Sequence, residues 1–143
     1  MKLQISKPIA FFDIESTGIN VLQDRIIDLA VVKLLPDGSR ETFECRLNPG
    51  MPIPKSSTAI HGITDADVAT SPLFKDKASE ILAFFDGCDL AGFNVLGYDI
   101  PLLQEEFKRV NMVFDMTGRN VVDGARIFHQ KERRTLTAAL KFY

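Results

Sequence analysis

Two hydrophobic periods alternate along the chain, and the switch between them divides it into elements. Residues 8–16, PIAFFDIES, are apolar on both faces, as expected for a strand in the middle of a sheet. RIIDLAVVKLLPDGSRETFECRLNP follows and predicts a β-hairpin. In it the strand-like runs Ile26–Leu35 and Glu41–Leu47 flank the turn residues Pro36, Asp37, Gly38 and Ser39. Three strands in succession predict an antiparallel meander. MPIPKSS then reads as a proline-rich loop, and Thr64 with Asp67 three residues on predicts a capping box opening a short helix. In SPLFKDKASEILAFFDG the period lengthens: Phe74, Ala78, Ile81 and Phe85 fall on one helical face, and Gly87 ends it. DLAGFN predicts a short strand. YDIPLLQEEFKRV predicts a second helix, with Pro101 in its first turn and Ile100, Leu103, Phe107 and Val110 on one face. NVVDGARIF predicts a last strand turning into a helix, and RTLTAALKFY a further helix capped by Thr135. The order implies an α/β domain with a mixed sheet of five strands flanked by helices. A crossover through the Phe74–Phe85 helix should lay strand Asp89–Phe93 parallel to the first strand.

Composition narrows the class. With 143 residues, 45% hydrophobic and 25% charged, the chain suits one soluble globular domain, 1–143, with a real core. Seventeen Lys and Arg against nineteen Asp and Glu leave a net charge of -2, without the bulk basic signature of many nucleic-acid binders. That counts against a pure binding module, but not against an enzyme that grips a few phosphates locally. Arg126, Lys131, Arg133 and Arg134 do cluster late, which a solvated helix end or loop also explains. Cys45 and Cys88 match no CxxC pattern and are expected as free thiols in a reducing compartment. The first apolar run is too short for a signal peptide, and no stretch approaches the ~20 apolar residues of a membrane span. A cytoplasmic protein without a membrane partner is expected.

Against this background the acids of FFDIESTG stand out. Asp13 and Glu15 lie one residue apart, so in a strand they share a face, with Phe12 and Ile14 opposite. Two converging carboxylates repel unless a cation or a shared proton relieves them, and hard divalent cations such as Mg²⁺ suit oxygen donors. A strand end where both acids reach solvent would give the same letters. Thr17 and Gly18, just past the acids, would let a phosphate or sugar approach the backbone. Asp99 precedes a helix, where the positive end of the dipole favours its ionised form, although an ordinary N-cap aspartate sits there too. Asn94 ends the apolar strand before it. If the two strands are parallel neighbours, three carboxylates surround one cleft, as in a one- or two-metal phosphodiester hydrolysis site.

FFDIESTG, IHGITDADV and GFNVLGYDIPLL, in that order and spacing, resemble the first acidic motif, middle loop and second acidic motif of the DEDD superfamily of 3′–5′ exonucleases. The likeness is to the DEDDh (DnaQ-like) branch, which includes the proofreading epsilon subunit of bacterial DNA polymerase III. It implies an RNase H-like fold pairing the first and fourth strands. It also implies a two-metal centre using Mg²⁺ or Mn²⁺, which releases nucleoside 5′-monophosphates from single-stranded or frayed 3′ ends of DNA or RNA. Carried over by position, Asp13 resembles the ligand shared by both metals. Glu15 resembles a ligand of the metal that activates water, and Asp99 the acid on the second. Thr17, Gly18, His61 and Asn94 resemble substrate-contacting positions, and Tyr98 a packing aromatic. A polymerase or another replication or repair protein is the implied partner.

The family's third motif, a late histidine followed by an aspartate, has no counterpart. RTLTAALKFY resembles the helix before it, so a last helix is expected to be missing and the domain to be incomplete at its C-terminus. His129 has no following Asp and is expected to be an exposed residue, and Asp123 is expected to be a helix cap and not a ligand. Without the general base and the last acid, this chain is expected to be inactive or severely impaired. It would then be a piece of an active exonuclease; a non-catalytic exonuclease-fold binding or scaffold domain is the alternative. A metal endonuclease of similar fold is a third option, against which the IHGIT loop argues.

Overall fold

The structure, a computed structural model, describes residues 5–124. The expectations placed on Arg126, His129, Lys131, Arg133, Arg134, Thr135 and the RTLTAALKFY helix lie outside that range. Strand β1 (Ile9–Ser16) runs through the middle of a five-stranded sheet of order β3-β2-β1-β4-β5. The meander forms as the alternation predicts: β1 pairs antiparallel with β2 (Ile26–Leu34), and β2 with β3 (Arg40–Arg46). Gly38, at φ +89°, supplies the left-handed residue of the hairpin turn. Helices α1 (Lys55–His61), α2 (Asp65–Val68) and α3 (Phe74–Phe85) follow, then β4 (Asp89–Gly92), which pairs parallel with β1. A π-helical turn (Val95–Asp99) leads without a break into α4 (Ile100–Arg109), and β5 (Val121–Asp123) closes the sheet parallel to β4.

Period-two alternation in β1 sorts its side chains into two cores. Ala10, Phe12 and Ile14 join the larger one, against Phe74, Ala78, Ile81 and Phe85 of α3 and Leu103 and Phe107 of α4. Phe12 meets Phe85 edge-to-face at 5.3 Å between centroids. Ile9 and Phe11 point to the other face, with Ala91 and Phe93. All four apolar positions expected on α3 are buried, each worth about 1.5–3 kcal/mol for the large ones. Asp13 and Glu15 continue the Ile9–Phe11 side. Both cysteines are free and buried, and burial pushes their thiols up from the ordinary range. Among the described residues no helix is long and apolar enough to cross a membrane.

Two local expectations are corrected. MPIPKSS is not all loop: α1 begins at Lys55, so His61 ends a helix, with Gly62 in the left-handed cap position at φ 77°. Asp99 is not an N-cap. Its backbone is helical (φ -62°, ψ -45°), it makes no capping bond, and the π-turn extends the helix before it. The capping box itself forms as expected, with Thr64 N–H donating to Asp67 at 2.9 Å and Asp67 N–H to Thr64 Oγ1 at 3.3 Å.

Candidate active site

Where β1 leaves the sheet, a cleft of about 400 Å³ opens, walled by the strand end, by α1 and by the π-turn. Four of the expected site residues, Glu15, Gly18, His61 and Asn94, line it. Ser16, Ser57 and Tyr98 add hydroxyls, and Ile19 and Ile60 form an apolar rim at 90% and 85% exposure. Two large aliphatic side chains left in water beside a polar cleft suit contact with a flat, apolar ligand surface.

Half-buried Asp13 and Glu15 share one face of β1, opposite Ala30 and Asp28 of β2 in register. The Glu15–Asp28 pairing is one that sequence reasoning missed. Like charges directly opposite are destabilising. Arg46, next across the sheet, relieves it by binding Asp28 at 3.1 Å. Asp99 is fully buried, on a turn packed against β1. The condition that β1 and β4 be parallel neighbours is met, and Gly92 is what lets them meet at this end. A Cβ there would sit 2.7 Å from Phe12 O and 2.5 Å from Val95 Cγ1.

The resemblance implies divalent metal, and the donors fit in kind, being hard carboxylate oxygens. In number they fall short: among the described residues, no three His, Cys, Asp or Glu side chains converge as a group that could hold an ion. Of the three expected acids, Glu15 lines the cleft, whereas Asp13 and Asp99 are not among its lining residues.

The remaining predicted residues divide between cleft and interior. The Thr17 side chain is 1% exposed and faces inward: its hydroxyl donates to Asp24 at 2.8 Å and accepts from Arg25 N–H at 3.0 Å. Gly18 is required by packing as much as by any ligand, since a Cβ would lie 2.5 Å from the Asp24 carboxylate. That carboxylate is itself held by Thr17 and by Asn20 N–H. His61 lines the cleft, but both ring nitrogens are engaged. Nδ1 accepts from Ile63 N–H at 3.1 Å, so Nε2 carries the proton and donates to Ser16 O at 3.1 Å. What it offers a ligand is its ring face.

Asn94 sits in the left-handed region (φ 57°, ψ 32°), which asparagine tolerates better than most residues. Its N–H donates to Asp123 Oδ1 at 2.7 Å, and Leu96 N–H to Oδ2 at 3.4 Å. Among the described residues Asp123 thus caps the π-turn, and the helix it is expected to open lies outside them. The loop from Thr17 to Arg25 is strapped down from α4. Arg109 donates to the carbonyls of Asp24, Val21 and Leu22 at 3.2, 3.4 and 3.0 Å. Buried Glu106 binds Arg25 Nε at 2.9 Å and Ile26 N–H at 2.8 Å.

Comparison with known proteins agrees with this architecture. The family model RNase_T, described as exonuclease, matches residues 10–141. A "DNA polymerase III subunit epsilon-like protein" of Rhodobacter capsulatus is 36% identical over 108 residues, 73% of this chain and 15% of that protein. A "DNA polymerase III PolC-type" of Caldanaerobacter subterraneus is 29% identical over 119 residues, 83% of this chain and 8% of its own length. The chain thus spans a small part of the relatives it matches. In fold it is similar to E. coli exonuclease I solved in complex with a dT13 oligonucleotide. That structure has a TM-score of 0.76 at 16% identity, covering 85% of this chain and 29% of that one. The mixed sheet with its flanking helices is RNase H-like, and the chain belongs to the exonuclease family.

Proposed function

We propose that this domain takes a nucleic-acid 3′ end into the cleft beyond β1 and serves metal-dependent 3′–5′ hydrolysis, releasing nucleoside 5′-monophosphates. The observation that carries it is the convergence of Glu15, His61 and Asn94 on one cleft rimmed by exposed Ile19 and Ile60, in a chain of the exonuclease family. The two isoleucines would flank a terminal base, and the strand-end backbone would lie along its sugar and phosphate. Asp13, Glu15 and Asp99 would hold Mg²⁺ or Mn²⁺, which when bound activates water and stabilises the leaving oxygen. Among the described residues no histidine is placed as a general base, since both nitrogens of His61 are spent. A replicative polymerase is the partner that the relatives' names suggest.

The test is a single strand labelled at its 5′ end, incubated with Mg²⁺ and the protein that carries this domain. Stepwise shortening from the 3′ end, lost in Asp13→Asn, is expected; internal cuts, or shortening that survives Asp13→Asn, would refute the reading. A non-catalytic binding domain is the second reading, favoured by the incomplete ligand group. Tight binding of the strand with no shortening in any divalent metal would establish it instead.

A further inference from the structure

The strand exit is held in an unusual way. A bulge between Glu15 and Ser16 ends the regular pairing of β1 with β2. The next carbonyls along the chain are each taken by a side chain from the cleft wall. Ser16 O accepts from His61 Nε2 at 3.1 Å, Thr17 O from Ser57 Oγ at 2.6 Å, and Gly18 O from the Tyr98 hydroxyl. Side chains here add to the backbone bonds that persist past the bulge, such as Thr17 N–H to Arg25 O at 3.0 Å.

Tyr98 differs from the other two. His61 and Ser57 belong to α1, whereas Tyr98 lies in the π-turn directly before Asp99. In that turn Ile100 N–H reaches back to Val95 O, five residues away. The widened turn sends consecutive side chains different ways: Tyr98 lines the cleft while Asp99 is fully buried. The Tyr98 hydroxyl also bonds Ser16 Oγ, which in turn accepts from Gly18 N–H at 3.3 Å. One phenol therefore ties the segment just past Glu15 to the backbone next to Asp99.

We propose that Tyr98 is a positioning residue whose hydroxyl fixes the Ser16–Gly18 segment, and with it Glu15 and the rim residue Ile19, relative to Asp99 for a bound 3′ end. The proposal rests on the exonuclease reading above, and deepens it by giving a role to an aromatic whose default is packing. Tyr98→Phe keeps the ring and removes the bond. The probe is a fluorescein-labelled octathymidylate, measured by anisotropy with Ca²⁺ in place of Mg²⁺, together with hydrogen exchange at the Gly18 and Ile19 amides. Binding should weaken about five-fold, equivalent to ~1 kcal/mol, and exchange at both amides should quicken. Phe114→Leu, a core change packed on Phe85 and Phe107 and outside the cleft lining, should lower stability and leave both readouts unmoved. Should Tyr98→Phe fail to fold, Ser16→Ala removes the hydroxyl that joins Tyr98 to the Gly18 N–H and carbonyl, and should weaken binding about two-fold. Wild-type affinity in whichever of these variants folds, or equal weakening by Phe114→Leu, overturns the proposal. A wild-type protein that does not bind the strand overturns the exonuclease reading, and the proposal with it.

Discussion

Glu106 offers the sharpest test of how the cleft is held. It is 1% exposed, yet it is a carboxylate, bound by Arg25 Nε at 2.9 Å, by Ile26 N–H at 2.8 Å and by Arg109 at 3.3 Å. Glu106→Ala strips the acceptor from the Ile26 N–H in the core, costing about 1–3 kcal/mol for an unsatisfied buried donor. It also leaves two guanidiniums without their anion. Breaking a fully buried pair costs about 3–5 kcal/mol, but Arg25 and Arg109 are 32% and 23% exposed and can hydrate. The charge loss therefore adds roughly 1–2 kcal/mol beyond the lost acceptor, for a total near ~3–4 kcal/mol. For a chain of this size that lowers the melting temperature by about 10–15 °C. Glu106→Gln keeps the shape and an acceptor for Ile26, and should cost about 1–2 kcal/mol. Urea melts at neutral pH read both variants. Equal losses in the two, or less than about 1 kcal/mol for Glu106→Ala, would show that the buried anion does not hold the Thr17–Arg25 loop to α4.

Two further outcomes follow from local geometry. Gly92→Ala places a methyl group 2.5 Å from Val95 Cγ1 and 2.7 Å from Phe12 O, and the backbone oxygen cannot step aside. A loss of about 1–3 kcal/mol is expected from the urea midpoint, and an unchanged midpoint would mean that β4 has slack against β1. The second concerns pH: hydrogen bonds from the Thr64 backbone and side chain hold the Asp67 carboxyl below its usual range. The folded state then takes up that proton less readily than the unfolded one. Its contribution is complete above the ordinary carboxylate range and is lost as pH falls through the lowered value. Asp67→Ala should therefore melt lower than wild type at neutral pH and converge with it in acid; a constant gap across pH would sink this account.

What the sequence made legible follows what burial imposes on it. The meander, the α3 stripe and the parallel β1–β4 neighbours all rest on apolar periodicity, and all formed. Helix α1 left no such trace, because none of its residues is buried and its fixing bonds run from side chain to backbone. The π-turn was hidden for a similar reason: an extra residue in a helical turn changes hydrogen bonding and not composition. Among the candidate site residues, Asp13 and Glu15 were legible as charges out of place in an otherwise apolar strand. The inward turn of Thr17 and the Asp24 carboxylate behind Gly18 depend on loop closure over Thr17–Arg25, which no local pattern encodes. Asp28 opposite Glu15 needed the hairpin register, since a shift of one residue would put Asp28 on the other face.

The division of β1 explains how one strand can be both scaffold and site. Its even-numbered side is locked into the α3 and α4 core, so the backbone that carries Asp13 and Glu15 has little freedom. The ladder is then interrupted by the bulge after Glu15, although Ser16 still pairs with Ile26 and Thr17 N–H still donates to Arg25 O at 3.0 Å. Past the bulge the chain is held in addition by bonds to its own carbonyls, from Ser57 and His61 on α1, Tyr98 on the π-turn and Arg109 on α4. None of these four belongs to the acidic strand, and Arg109 reaches the loop from 85 residues away in sequence. Each such bond is modest alone, about 0.5–1.5 kcal/mol. Their joint effect is to fix a short segment that would otherwise fray, at the end where Glu15 must be aimed. The placement of the acids is thus a property of three elements meeting at one strand end, while the acids themselves belong to one motif.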